Sequence, residues 1–337
     1  MGGGSWDSRA YDDAASQRAA SNTPAFDYSQ KVKSGSARGI HASLDPRTVA
    51  GAASPLAGQV VRESRDSADH PESLPVIALF DVTGSMGRIP QVLQTKLTSL
   101  MDVIVAKAGI KDVQILVGAI GDTHSDDYPF QVGQFESDNR FDEQLRSIIL
   151  EGNGGGQKKE SYALAYRFAA DHTATDAWDK RGKKGYLFSM GDEGPWPTVT
   201  VEEVERIFGV KAEADESVES LIARAQERWE IFHLFSMDGG YPNDRAIAER
   251  WQELLGERFV KVEDSSLICE VIAGLIHMLE SSLDADRVVH DMGLKGASGT
   301  AVKNALVPVG NTRLPKTVAH GSVPTQRTPK GGGIERI

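Results

Sequence analysis

From Pro75 onward the chain alternates short apolar runs with longer amphipathic ones. "PVIALFD" (75–81) is fully apolar up to its last residue, the mark of a strand buried on both faces of a parallel sheet. "IPQVLQTKLTSLMDVIVAKAG" (89–109) follows with Val92, Leu93, Leu97, Leu100, Met101, Ile104 and Val105 at helical spacing. Pro90 suits its first turn and Gly109 its end. "VQILVGAIGD" (113–122) is a second buried strand. "YPFQVGQF" (128–135) alternates and lies close behind it, which predicts an antiparallel neighbour. A helix over "FDEQLRSIIL", a glycine loop and a helix over "ESYALAYRFAADH" lead to a third buried strand, "GYLFSMGD" (185–192). Helical patches around 201–208 and 217–229 precede "EIFHLFSMD" (230–238), a fourth buried strand. "DRAIAERWQELLG" reads as a helix and "RFVKVED" as a last strand. A final helix from near Ser265 uses Leu267, Ile268, Val271, Ile272, Leu275 and Leu279. This alternation predicts a doubly wound, mostly parallel six-stranded α/β sheet with helices on both faces.

The flanks differ. Residues 1–73 are polar without sustained periodicity and read as a partly ordered lead wrapped on a domain at 74–285. In it, "DDAASQRAA" suits a short helix and "FDYSQKVKSG" a strand or anchoring segment. Residues 287–337 carry eight Lys and Arg against Asp291 and Glu335, with many Gly, Pro, Thr and Ser. They read as a basic, flexible tail from 286 onward, lying in part on an acidic body. That body holds 29 basic and 46 acidic residues in a chain of net charge −11. Such a balance argues against nucleic acid or an anionic membrane as the main partner. The single cysteine, Cys269, excludes an intrachain disulfide framework and cysteine-rich zinc sites. No apolar run is long enough for a membrane span, and "MGGGSWDSRAYDD" has no secretory pattern, so a cytoplasmic location is expected.

Ligands of open α/β sheets bind beyond the carboxyl ends of the strands. Four strands end there on an acid: Asp81, Asp122, Asp192 and Asp238. Singly, each is best explained as a turn or helix cap. Asp81 and Asp192 together, with the hydroxyls of Thr83 and Ser85, point to a metal instead. Gly84 and Gly87 let the chain turn past the strand end so that several oxygens converge. Hard neutral hydroxyls mixed with carboxylates suit Mg²⁺, with Mn²⁺ or Ca²⁺ as alternatives. No His/Cys set favours zinc.

"DVTGSM" resembles the D-x-S-x-S element of von Willebrand factor type A (vWA) domains, with Thr83 in place of the first serine. "YLFSMGDEG" resembles the strand bearing their second metal aspartate. The likeness, to members of the bacterial type, covers roughly 74–283 and includes the order of elements. It implies a metal-ion-dependent adhesion site lined by Asp81, Thr83 and Ser85, with Asp192 acting mainly through water and Asp122 one step behind. Those domains usually add a threonine from a "GGT"-like loop. Here "EGNGGGQKKESYALA" has the glycines but no threonine, and Glu160, Ser161 or Gln157 could take its place. Lys158 and Lys159 either offset the extra charge of Glu160 or simply solvate the loop.

The resemblance implies a metal-dependent protein-binding module whose partner presents an acidic residue, an ATPase or multiprotein assembly among the candidates. Two other readings stay open: a metal-dependent phosphoryl-transfer or hydrolytic enzyme on the same edge, and a scaffold with a structural metal. Against the enzyme, phosphatases of the haloacid-dehalogenase type carry a second Asp two residues after the first, where this chain has Thr83. "DVTGSMG" also lacks the G-K-[ST] of a P-loop. His124 reads as a turn histidine near the site and His233 as a packed strand residue. Trp196 reads equally as a ligand contact or a cover on the core.

Overall fold

The computed structural model describes residues 4–21, 23, 24, 26–47, 62–87, 89, 90, 92, 96, 100–152 and 156–311. Its centre is a six-stranded sheet built from β1 (Leu74–Asp81), β2 (Val113–Ile120), β3 (Phe130–Val132), β4 (Gly185–Gly191), β5 (Trp229–Ser236) and β6 (Phe259–Val262). The spatial order is β6-β5-β4-β1-β2-β3. Every neighbouring pair is parallel except β2 and β3, the predicted antiparallel pair.

The pleat sends alternate residues of β1 to opposite faces. Val76, Ala78 and Phe80 enter one apolar cluster, Ile77 and Leu79 the other. All eight β1 residues are buried, which explains the unbroken apolar run in the sequence. On the first face lie Leu100–Ile104, α3 (Arg140–Arg146) and α8 (Ile268–Ser281). On the second lie α4 (Ala163–Asp171), α5 (Val201–Phe208), α6 (Val218–Ala225) and α7 (Arg245–Leu255). Thr200 and Glu203 close a capping box at the start of α5, satisfying orphan backbone donors.

Residues of the lead contact the domain, as where Trp6 Nε1 donates to Asp102 Oδ1 at 3.0 Å. The lead forms α1 (Ser8–Ala20) and α2 (Asp27–Lys33), and buries Phe26 and Leu44. "FDYSQKVKSG" is thus a helical anchor and not a strand. Arg62–Ser64 pairs in parallel with Thr173–Thr175. Residues 48–61 lie outside the described part.

Three expectations need correction. The tail is not flexible from residue 286: α9 (Ala285–Asp291) and α10 (Gly296–Asn311) pack on the first face. Val288, Val302, Leu306 and Val309 are fully buried there, at a helical spacing that the Gly-rich composition masks. Residues 312–337, which hold the rest of the tail, lie outside the described part. In the helix after β1, Val105 is 45% exposed, not buried. Val103–Lys107 adopts a π-turn, with Ala108 N donating to Val103 O, and the added residue rotates Val105 off the apolar face. Leu93 and Leu97 fall outside the described residues. The helical patch at 217–229 stops at Ala225, because Trp229 already pairs with Gly185 in β5.

Candidate metal centre

The strand order reverses at β1. The chain runs from β1 to β2 and β3 on one side, then crosses to β4 on the other. A crevice opens at such a switch point, at the carboxyl ends of the strands. Asp81 closes β1 and Asp192 follows β4 directly, so both acids lie at that edge, fully buried.

Past Asp81 the backbone turns through a short 3₁₀ helix, Gly84–Met86, and reverses at Gly87 with φ +52°. A side chain would be strained at Gly87. Asp81 Oδ1 accepts from Thr83 N at 2.8 Å and Thr83 Oγ1 at 2.5 Å. Thr83 Oγ1 lies 3.2 Å from Ser85 Oγ, which donates to Asp192 Oδ1 at 2.8 Å. Each hydroxyl thus donates its one proton to a different acid, Thr83 to Asp81 and Ser85 to Asp192, and the two hydroxyl oxygens face each other with lone pairs free for a cation. Tyr162 Oη donates to Asp81 Oδ2 at 2.9 Å, and Gly240 N donates to Asp192 Oδ2. A Cβ on Gly239 would collide with Asp192. Tyr162, Gly239 and Gly240 shape the site but carry no charge pattern, so sequence reasoning missed them.

The third acid, Glu160, is one of the candidates named from the sequence, but its local structure is not the expected helix start. Glu160 does not start a helix, since α4 begins at Ala163. Lys159–Glu160 pairs in parallel with Gly194–Pro195 just beyond β4. This turns Glu160 inward, where it is 1% exposed and its Oε2 finds no hydrogen-bond partner. Glu193, also missed from the sequence, lies close enough for its charge to act on Glu160. Ser161 is used differently: its Oγ accepts from Thr123 N at 2.9 Å and donates to Thr123 Oγ1 at 3.0 Å. Asp122 is fully buried beside them. It accepts from Trp196 Nε1 at 2.8 Å, from His124 N at 3.1 Å and from Ser125 Oγ at 3.2 Å. Asp238 instead accepts from Ser265 N at 2.7 Å, an ordinary capping role. Gln157 is exposed. His233 is buried against Trp251, as its alternation in the strand suggested.

Burial dominates the electrostatics. It pushes the Asp81 carboxyl up to about 8, with the charge of Asp192 adding to the rise and hydrogen bonds from Thr83 and Tyr162 opposing it. Burial also raises Glu160 strongly, reinforced by Asp81, Glu193 and Asp122. Asp192 and Glu193 rise for the same first reason. Acids this crowded need either protons or a cation among them. Two carboxylates and two converging hydroxyls, with the orphaned buried Oε2 of Glu160 alongside, fit a hard divalent cation. Among the described residues, no group of three or more His, Cys, Asp and Glu is arranged to hold a metal. The fit therefore depends on the neutral hydroxyls of Thr83 and Ser85.

No family model matches the chain, and no curated protein matches it. Solved structures do match in part. The pilus adhesin SpaC of Lactobacillus rhamnosus GG, in its open conformation, is 10% identical with a TM-score of 0.44. The match covers 64% of this chain and 31% of SpaC, so the chain spans about a third of that protein's length. The vWF domain of the type V pili tip protein Mfa5 from Porphyromonas gingivalis is 11% identical with a TM-score of 0.40, over 61% of this chain and 95% of that one. The conserved hypothetical protein BatB from Bacteroides thetaiotaomicron is 13% identical with a TM-score of 0.38, over 62% and 99%. Identities and scores this low leave the functional reading to the site itself.

Proposed function

We propose that this chain is a protein-binding module of the vWA type, with a doubly wound sheet, that engages its partner through a divalent cation, Mg²⁺ by preference. One observation carries the reading. At the switch point of the sheet Thr83 donates to Asp81 and Ser85 donates to Asp192, which leaves their two hydroxyl oxygens 3.2 Å apart between the acids. Asp81, Thr83 and Ser85 would hold the ion, Asp192 would orient its water, and Glu160 would take the place of the usual threonine. A bound cation supplies positive charge with a coordination position open to a partner's Glu or Asp. Tyr162 keeps Asp81 oriented by donating to its Oδ2. The backbone of Gly240 does the same for Asp192. The partner is a protein presenting an acidic residue, with an ATPase or a larger assembly as candidates. The buried free thiol of Cys269 accords with a reducing, cytoplasmic setting.

Calorimetric titration of the metal-free protein with Mg²⁺, alongside melting curves, tests this. Wild type should bind and gain stability, by about 2.7 kcal/mol at a hundredfold excess over Kd. Asp81→Ala should lose both effects, and the milder Ser85→Ala should weaken them. Failure of Mg²⁺, Mn²⁺ and Ca²⁺ to bind wild type overturns the proposal. Metal-dependent hydrolysis of phosphate esters, lost in Asp81→Ala, would replace the module with an enzyme.

A further inference from the structure

We propose that Lys159, held on Trp196 beside the acid cluster, reads a second carboxylate, so that the partner of the site is an acidic peptide segment and not a lone acid. This rests on the binding reading above and specifies its partner.

The local pairing sets the arrangement. Lys159 pairs with Gly194 and Glu160 with Pro195, bonded through Gly194 N to Lys158 O and Trp196 N to Glu160 O, both at 3.1 Å. Successive residues of an extended segment face opposite ways. Glu160 therefore points into the acid cluster while Lys159 is exposed at its rim. The neighbouring lysine is already engaged. Lys158 has the uncommon φ of +58°, pairs with Asp244 at 2.9 Å and lies over the Tyr241 ring at 5.3 Å. That contact ties the loop to the start of α7.

Lys159 makes no ion pair among the described residues. Its ammonium lies 4.9 Å from the centroid of the Trp196 ring. Trp196 is itself fixed, by its hydrogen bond to Asp122 and by the His124 ring at 4.1 Å. The cation is thus held on a rigid aromatic platform and is not spent on an internal acid.

Charge complementarity names the occupant. Asp81, Asp122, Glu160, Asp192 and Glu193 surround the centre, and their field repels any arriving carboxylate. A divalent ion offsets part of that charge locally. A second anionic group gains only if a cation meets it at the rim, and Lys159 is placed to do so. The rest of the body is acidic and would repel an acidic segment that docked elsewhere.

The probes are two blocked Gly/Ser peptides of equal length, one with a single central Glu and one with three Glu at alternate positions. Each is titrated calorimetrically into the full chain with Mg²⁺ at low ionic strength. The three-Glu peptide should bind about tenfold tighter, and Lys159→Ala should bring it to the single-Glu level. Lys159→Arg should retain most of the gain. Single-Glu binding and Mg²⁺ binding should not change in either variant. Equal affinity of the two peptides, or no effect of Lys159→Ala, overturns the proposal, as does an equal loss for both peptides. Mg²⁺ binding without binding of either peptide overturns it and leaves the metal site standing. Absence of Mg²⁺ binding in wild type removes the underlying reading as well. Displacement of the three-Glu peptide by a short single-stranded oligonucleotide at equal concentration would refute the assignment to a peptide.

Discussion

Asp81 could be a nucleophile, a metal ligand or a turn residue when met in the sequence. In the structure both its oxygens are occupied, one by Thr83 and one by Tyr162. Tyr162 is fully buried, and its hydroxyl serves a carboxyl that burial makes costly to ionise. Removing that donor leaves a buried acceptor short of a partner, at about 1–3 kcal/mol. Tyr162→Phe should therefore lower the unfolding free energy of the metal-free protein by that amount, read as a lower midpoint of denaturant unfolding at unchanged m. An unchanged midpoint would mean that Asp81 does not depend on Tyr162. Gly191 shows a related constraint, since a Cβ there would strike the Tyr162 hydroxyl.

At the level of elements, the segment between the glycine loop and α4 decides the site. A two-residue pairing with Gly194–Pro195 turns Glu160 toward the acids and Lys159 toward solvent. The C-terminal helices matter for a different reason. Leu306 of α10 lies in the first-face cluster and contacts the position of Gly274 in α8. Truncating a fully buried leucine removes apolar burial and leaves a cavity. Leu306→Ala should destabilise the protein by about 2–5 kcal/mol in equilibrium unfolding. A change within about 0.5 kcal/mol, the range of surface substitutions, would show α10 to be dispensable to the core.

For the whole molecule, the clustering of acids at one edge makes stability depend on pH and on cation together. The folded-state pKa of Asp81 lies above its usual value, near 8, and Glu160 is shifted the same way. The folded state then binds more protons than the unfolded one between the two values, so stability falls as pH rises. Stability from Asp81 is fully present below about pH 4 and is lost as pH rises through about 8. The metal-free protein should melt lower at pH 8 than at pH 6, and saturating Mg²⁺ should narrow the gap by replacing protons. A melting temperature that rises over that interval without metal would contradict the burial of these acids.

The sequence by itself determined the strands, their mostly parallel arrangement and the acids at their ends. Burial on both faces writes a mostly apolar run into each central strand, unbroken in β1, and an aspartate ends or follows it. Asp81, Thr83 and Ser85 were legible because they lie within five residues on one turn. Asp192 was legible because a second strand delivers it to the same edge. Other features depend on pairs far apart in the chain, and no local pattern records those. Glu193, Tyr162 and the inward turn of Glu160 arise only when β4, α4 and the loop before it meet. Lys159 reads as one more solvated charge until Trp196 is brought beneath it. Composition obscured α10, whose few buried residues gain their meaning from α8 lying against them. Local propensity and periodicity thus chose the elements, and tertiary packing decided which polar atoms lost water and which partner each then met.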